Sequence, residues 1–279
     1  MAKIYSCYRW EDRPHDPAYP VADNITLEYY TGDGCLRGQI LCPAGSFTEP
    51  RPCVLLFHGF PGSSRNDDFA HALCRMGCVV LVPHHRGALG SPGKYLVSNC
   101  IADIIQLTRF VHSEPFTMKY NVDPGSIYLF GHSMGGNNII QASKELPWLR
   151  GLILFAAYDP TYALSRGNTQ PLDDLMADSS HFLNSDGPEA ICADIAAHVE
   201  DWSFPAAFHH LKDQNLLILS GSLDEVSPEH EMVTPLWSLL QAHPTNAVQR
   251  HVSYPAGHAL MGHRASVLDE IVRFMEDTL

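Results

Sequence analysis

The chain has no window approaching the roughly 18 continuous apolar residues that a membrane-spanning helix needs, so we expect no membrane span. Its first residues, MAKIYSCYRWEDRPHD, hold no apolar stretch of the kind a secretory signal peptide requires. Basic residues are few, 18 Lys and Arg against 31 Asp and Glu, for a formal net charge of -13. A nucleic-acid partner or an anionic membrane surface calls for the opposite sign. No CxxC occurs among the eight cysteines, and several sit inside apolar runs, as Cys53 does before VLLF and Cys78 before VVLV. That pattern fits reduced, mostly buried thiols in a cytoplasmic protein. The sixteen histidines contain no HExxH, and the adjacent pairs His84-His85 and His209-His210 lack the i, i+4 spacing of a helical zinc site. We expect no metal and no cofactor.

What is present is a rhythm of short buried strands and helices. ITLEYYT (25–31) and CLRGQILC (35–42) flank Gly32-Asp33-Gly34, a hairpin signal. CVLLF (53–57), CVVLVP (78–83), SIYLFG (126–131), GLILFAA (151–157) and LLILSG (216–221) are continuous apolar runs, as strands covered on both faces are. Val248 to Tyr254 is a further strand. Helical spacing separates these runs: DFAHALCRM with Gly77 as its stop, IADIIQLTRFV, Asn137 to Glu145, about 229–242, and ASVLDEIVRFMEDTL at 265–279. Strand–helix alternation predicts an α/β fold, a mostly parallel central sheet with helices on both faces and antiparallel strands at one edge. Between Tyr158 and Leu211 the rhythm stops, and polar helix-like pieces take over. A simple connection is far shorter. We therefore expect a core of residues 1–158 and 211–279 with a small helical lid insertion at 159–210.

Gly131-His132-Ser133-Met134-Gly135 fits G-x-S-x-G, with a strand before it and a helix after it. A serine at such a corner is held in a strained conformation that lifts its hydroxyl above the sheet. Its neighbours two positions away come too close for a Cβ, which explains the glycines. A hydroxyl needs a base to become a nucleophile, and the base needs an orienting acid. Asp224 stands just past the strand LLILSG, with Glu225 as the fallback. His258 stands just past the strand ending at Tyr254, with His263 as a later competitor at the start of the last helix. A developing oxyanion needs donors. The Met134 N–H lies at a helix N-terminus, and the Phe60 N–H lies in the glycine-rich loop HGFPGSSRN after CVLLF. His58 is expected to fix that loop by hydrogen bonds.

The four stations HGFPG, GHSMG, SGSLDEVSP and PAGHALMGH resemble, in order and spacing, those of the α/β-hydrolase superfamily, from about residue 25 to the end. The resemblance implies Ser133 as nucleophile, Asp224 as acid, His258 as base, and the N–H groups of Phe60 and Met134 as the oxyanion hole. HHRGALGSP resembles a superfamily loop that often reads D-x-R-G-x-G-x-S, with His84 here in place of the acid. A serine at 133 disfavours the dehalogenase and epoxide hydrolase chemistries, which use a carboxylate there. The oxyanion loop looks more like that of small-ester and feruloyl-type esterases, and of some peptidases, than the HGGG form. The implied function is hydrolysis of a small-molecule carboxylic ester through an acyl-enzyme. The alternative is a serine peptidase or amidase on the same triad, for which Glu189, Asp194, Glu200 and Asp201 are candidate amine holders. A third reading is a non-catalytic binding protein on the same fold, which the complete set of stations disfavours. Phe182, Trp202, Phe204 and Phe208 of the insertion are candidates to line the substrate site, or to form the insertion's own core.

Overall fold

The computed structural model describes residues 2–62 and 66–279. Ser63, Ser64 and Arg65 of the glycine-rich loop lie outside the described residues. Eight strands form one sheet: β1 (Asp23–Thr31), β2 (Gly34–Cys42), β3 (Arg51–Phe57), β4 (Val79–His84), β5 (Val122–His132), β6 (Gly151–Phe155), β7 (Leu216–Gly221) and β8 (Gln249–Tyr254). Their order across the sheet is β1-β2-β4-β3-β5-β6-β7-β8. β1 and β2 pair with each other antiparallel, β2 joins β4 antiparallel, and every later pairing is parallel. The expected hairpin closes with Thr31 opposite Gly34, and Gly32 takes a positive φ of 51° in the two-residue turn.

Helices cover both faces. α1 (Asp67–Arg75), α2 (Val97–His112), α3 (Glu114–Tyr120) and α4 (Met134–Ser143) precede β6. α5 (Tyr162–Ser165), α6 (Gln170–Ser179), α7 (Pro188–Ala196), α8 (Val199–Trp202) and α9 (Phe204–Leu211) fill the stretch between β6 and β7. α10 (Glu229–Ala242) and α11 (Arg264–Thr278) follow β7 and β8. Successive strand side chains point to opposite faces, so the core divides in two. Leu55, Phe57, Leu129 and Leu154 pack with α2, α4 and α10, while Val54, Leu56, Phe130 and Phe155 pack with α1 and α11.

Two boundaries differ from expectation. β5 begins at Val122 because its ladder with β3 starts at Arg51 opposite Val122 and then shifts register before Cys53 meets Ile127. Asp123-Pro124-Gly125 occupies that irregularity and therefore reads as a turn. α4 begins at Met134 rather than Asn137, because Gly135 and Gly136 serve close approach within its first turn and do not break it. The segment 159–210 carries the helices α5 to α9. Asp159 Oδ2 accepts the Phe204 N–H at 2.8 Å, tying the segment's entrance to the start of α9, and α9 packs on α4 and α10. Among the described residues no helix is long and apolar enough to cross a membrane.

Candidate active site

The strand-to-helix corner is as tight as its glycines suggest. Ser133 has φ 54° and ψ -126°, a positive-φ conformation outside the left-handed helical well that costs an ordinary residue on the order of 1–3 kcal/mol. Backbone bonds hold it there: its N–H donates to Phe155 O at 2.9 Å, and its carbonyl accepts from Gly136 N and Tyr158 N at 2.8 and 3.0 Å. A Cβ at Gly135 would lie 2.5 Å from His58 O, and one at Gly136 would lie 2.6 Å from the Cβ of Ala157. The helix therefore starts against the neighbouring backbone with no room for a methyl group. Met134 is the first residue of α4, so its N–H has no partner within the helix and points out of the positive end.

The loop after β3 comes onto the same corner. A Cβ at Gly59 would stand 2.7 Å from Ser133 Cβ and 3.2 Å from its Oγ, so the backbone before Phe60 touches the serine. His58 is buried and fixes this loop. Its Nε2 accepts the His85 N–H at 3.1 Å, which leaves the proton on Nδ1 to donate to Gly59 O at 2.7 Å. His85 returns a bond from Nε2 to His58 O at 3.2 Å. Burial holds the His85 imidazole well below the ordinary histidine range, with His58 pushing the same way. The two rings meet edge-on with centroids 4.5 Å apart, and these bonds fix the loop as expected of His58.

Asp224 and His258 come together from adjacent strand ends. Asp224 lies three residues past β7 and is buried, at 5 % exposure. Its Oδ1 accepts the N–H groups of Val226 and Ser227, both at 2.9 Å, and its Oδ2 accepts from His258 Nδ1 at 2.8 Å. Burial pushes this carboxyl up. The His258 hydrogen bond and charge, with the Ser227 and Val226 N–H groups, outweigh burial and leave it below the usual carboxylate range. With Nδ1–H committed to a carboxylate, the proton-accepting nitrogen of His258 is Nε2. The two loops are lashed together: Leu223 N–H donates to Ala256 O at 3.1 Å, and Ser222 N–H to Tyr254 O at 2.8 Å. The His258 ring lies 5.2 Å, centroid to centroid, from His132, the residue before the serine. Among the described residues Ser133 Oγ makes no hydrogen bond to the imidazole. Such bonds are often long before substrate arrives. Glu225 is exposed, and His263 packs its ring against Tyr254 at 5.4 Å.

The aromatic candidates of the insertion go elsewhere. Trp202 and Phe204 are buried in the core beside α4, where Trp202 O accepts from Asn137 Nδ2 at 2.7 Å. Phe208 sets its ring edge against His243 at 6.0 Å, and Phe182 is 68 % exposed. Among the described residues no hydrogen bond or ring contact joins any of the four to Ser133, Asp224 or His258. Of the candidate amine holders, Asp194 accepts the Ser98 N–H at 2.8 Å, and Glu200 and Asp201 are exposed.

Two residues of consequence have little signal in the sequence. Tyr95 is buried, meets the Phe60 ring edge-on at 5.8 Å, and places its hydroxyl 3.9 Å from Met134 Sδ. Its N–H donates to Asn184 O of the insertion at 2.8 Å. It follows Ser-Pro-Gly-Lys in a polar loop, where nothing marks an aromatic as buried. Asp159 also accepts from Thr161 N and Oγ1 at 2.9 and 2.7 Å. Burial pushes its carboxyl up against these bonds. Its place just past a strand is the signal Asp224 carries too, so position alone does not separate their roles.

The sheet order, the helices on both faces and the sharp corner after β5 are those of the α/β hydrolases, and the chain is one by fold. Residues 48–185 match the model of a family described as serine aminopeptidase, S33. Among solved structures, a highly thermostable carboxyl esterase from Bacillus coagulans is 18% identical with a TM-score of 0.69, covering 92% of this chain and 99% of that one. Est1E from Butyrivibrio proteoclasticus, with ferulic acid bound, is 18% identical with a TM-score of 0.67, covering 90% and 98%. Dipeptidyl peptidase 4 of Porphyromonas gingivalis is 19% identical with a TM-score of 0.65, and the match covers 94% of this chain but 36% of that one. No curated protein matches the chain.

Proposed function

We propose that the protein is a serine hydrolase that cleaves carboxylic esters through an acyl-enzyme. The observation that carries this reading is the Asp224–His258 bond of 2.8 Å, set beside a serine held at φ 54° on a strand-to-helix corner. Ser133 Oγ attacks the ester carbonyl while His258 Nε2 takes its proton. Asp224 keeps Nδ1 protonated and stabilises the imidazolium. The N–H groups of Phe60 and Met134 receive the developing oxyanion. Collapse of the tetrahedral intermediate expels the alcohol, which takes the proton from His258. Water, deprotonated by the same nitrogen, then releases the acid and restores Ser133. In this reading the segment 159–210 roofs the site as a lid.

A peptidase or amidase reading uses the same groups. The family description and the dipeptidyl peptidase likeness favour it. Comparing p-nitrophenyl esters with amino-acid and dipeptide arylamides decides between them. The ester reading expects Ser133→Ala to abolish p-nitrophenyl acetate hydrolysis with the melting transition retained, and wild type to leave arylamides intact. Full esterase activity in Ser133→Ala would sink the assignment.

A further inference from the structure

Arg264 is the first residue of α11, in the stretch that follows His258. A guanidinium in the first turn stands at the positive end of a helix, where an acidic side chain is the favoured one. Local helix stability therefore does not explain an arginine here. Its partners do. Every nitrogen of the guanidinium is engaged. Nε donates to Asp68 Oδ2 at 2.8 Å, and Nη2 donates to Asp68 Oδ1 at 2.6 Å and to Asn66 Oδ1 at 2.9 Å. Nη1 donates to Ala259 O at 3.2 Å. The central carbon lies 3.9 Å from the Phe69 ring centroid and 5.0 Å from that of Phe155.

These partners come from three places that the proposed mechanism needs in register. Ala259 directly follows His258. Asn66 ends the loop after β3, and Asp68 lies in the first turn of α1. Phe155 ends β6, and its carbonyl accepts the Ser133 N–H at 2.9 Å. The Phe155 ring also meets His132 edge-on at 5.0 Å, and His132 faces His258 at 5.2 Å. One guanidinium thus touches a neighbour of the base, the end of the loop that carries Phe60, and the strand end that anchors the nucleophile.

Asn66 shows that this junction takes precedence over local structure. It has φ 59° and ψ 36°, a left-handed conformation, and it makes no side-chain cap bond to α1. An asparagine before a helix ordinarily turns its oxygen back onto the first turn; here the oxygen goes to Arg264. The Arg264 and Asp68 side chains are 22% and 49% exposed. A pair this open to water adds little stability, so what the bonds supply is a fixed spacing between two loops. We propose that Arg264 is a positioning residue: by holding Ala259 O against Asn66 and Asp68, it sets where His258 stands relative to Ser133 and the loop of Phe60. Among the described residues it bonds to none of Ser133, Asp224 and His258 itself. The inference rests on the hydrolase reading above.

The test separates position from stability. Arg264→Lys keeps the charge and can still pair with Asp68, but a point charge does not replace the planar fork that spans Asp68, Asn66 and Ala259 O. Arg264→Met removes the charge and keeps most of the stem. Ile271→Ala, on the buried face of α11, lowers stability without touching these bonds. Each is assayed with p-nitrophenyl acetate and with a fluorophosphonate, which reports activation of the serine, at a temperature well below its own melting transition. Both Arg264 variants are expected to lose at least tenfold in kcat and in the rate of fluorophosphonate inactivation together, with KM within about threefold. Arg264→Lys is expected to do so with a melting temperature close to that of wild type, and it carries the test alone should Arg264→Met not fold. Ile271→Ala is expected to melt lower and to keep kcat within about threefold. If the Arg264 variants keep kcat, or if Ile271→Ala loses as much kcat as they do, Arg264 is a structural residue only: the proposal fails and the hydrolase reading stands. If wild type neither cleaves the ester nor reacts with the fluorophosphonate, the hydrolase reading fails and takes the proposal with it.

Discussion

A methyl group on Gly59 would stand 2.7 Å from Ser133 Cβ and 3.2 Å from Ser133 Oγ. Two loops that are 74 positions apart thus meet with only a hydrogen atom between them. Gly59→Ala must push either the Phe60 backbone or the serine aside. Overpacking of this kind typically costs about 1–3 kcal/mol. The expected result is a folded protein with a modestly lower melting temperature and an esterase rate reduced at least tenfold, because the proposed donor and nucleophile no longer share one geometry. Calorimetry and p-nitrophenyl acetate kinetics read the two effects separately. An unchanged rate would show that the loop yields freely.

Asp224 makes three hydrogen bonds, two to backbone N–H groups and one to His258. Asp224→Asn keeps the shape and removes the charge. In a serine protease triad that change costs about 10⁴-fold in kcat, and on the proposed mechanism a loss of that order is expected here. The stability effect has a definite sign. The carboxyl is held below its ordinary value on folding, so its contribution is present above the unfolded value and is lost as pH falls through the lower folded one. The stability gap between wild type and Asp224→Asn is expected to shrink toward acid in denaturant titrations. A gap that widens instead contradicts the assignment.

Much of this arrangement was legible because strand periodicity and glycine spacing are local. LLILSG is read as a strand and forms β7 residue for residue, and the glycines around Ser133 mark contacts that a Cβ would violate. The approach of Asp224 to His258 was legible as well, since each stands just past the end of neighbouring parallel strands. What escaped depends on contacts distant in sequence. Tyr95 gains its place from Phe60, Met134 and Asn184, none of them adjacent to it. Trp202 and Phe204, offered as site or core residues, went to the core through their packing beside α4, which no pattern in the insertion announces.

Tyr95 meets both residues proposed for the oxyanion hole: Phe60 through its ring and Met134 through its hydroxyl. Tyr95→Phe keeps the ring and drops a long contact to sulfur. Its kcat is expected to stay within about threefold of wild type. Tyr95→Leu removes the edge-on ring pair, worth about 0.5–1.5 kcal/mol beyond burial. It is expected to lower kcat by about tenfold while KM changes little, because the proposed oxyanion donors act more strongly in the transition state than on the bound ester. Equal kinetics for Tyr95→Leu and wild type would deny Tyr95 any part in positioning.

Arg86 and Asp103 form a pair out of water, with side chains 8% and 0% exposed. Arg86 Nε donates to Asp103 Oδ2 at 2.7 Å and its Nη2 to Oδ1, while Nη1 reaches Asp33 at 2.8 Å and Thr31 Oγ1 donates to Asp103 at 2.9 Å. The bonds join the loop after β4 to α2 and to the hairpin turn. That loop also carries Leu89, which faces Gly62 of the loop after β3. Arg86→Met strands a buried carboxylate, and breaking such a pair costs about 3–5 kcal/mol. Replacing both partners, Arg86→Met with Asp103→Leu, removes the stranded charge and is expected to recover most of that loss. Urea denaturation of the two single variants and the double variant checks this through the coupling energy. Additive losses across the cycle would mean that the pair is not energetically coupled.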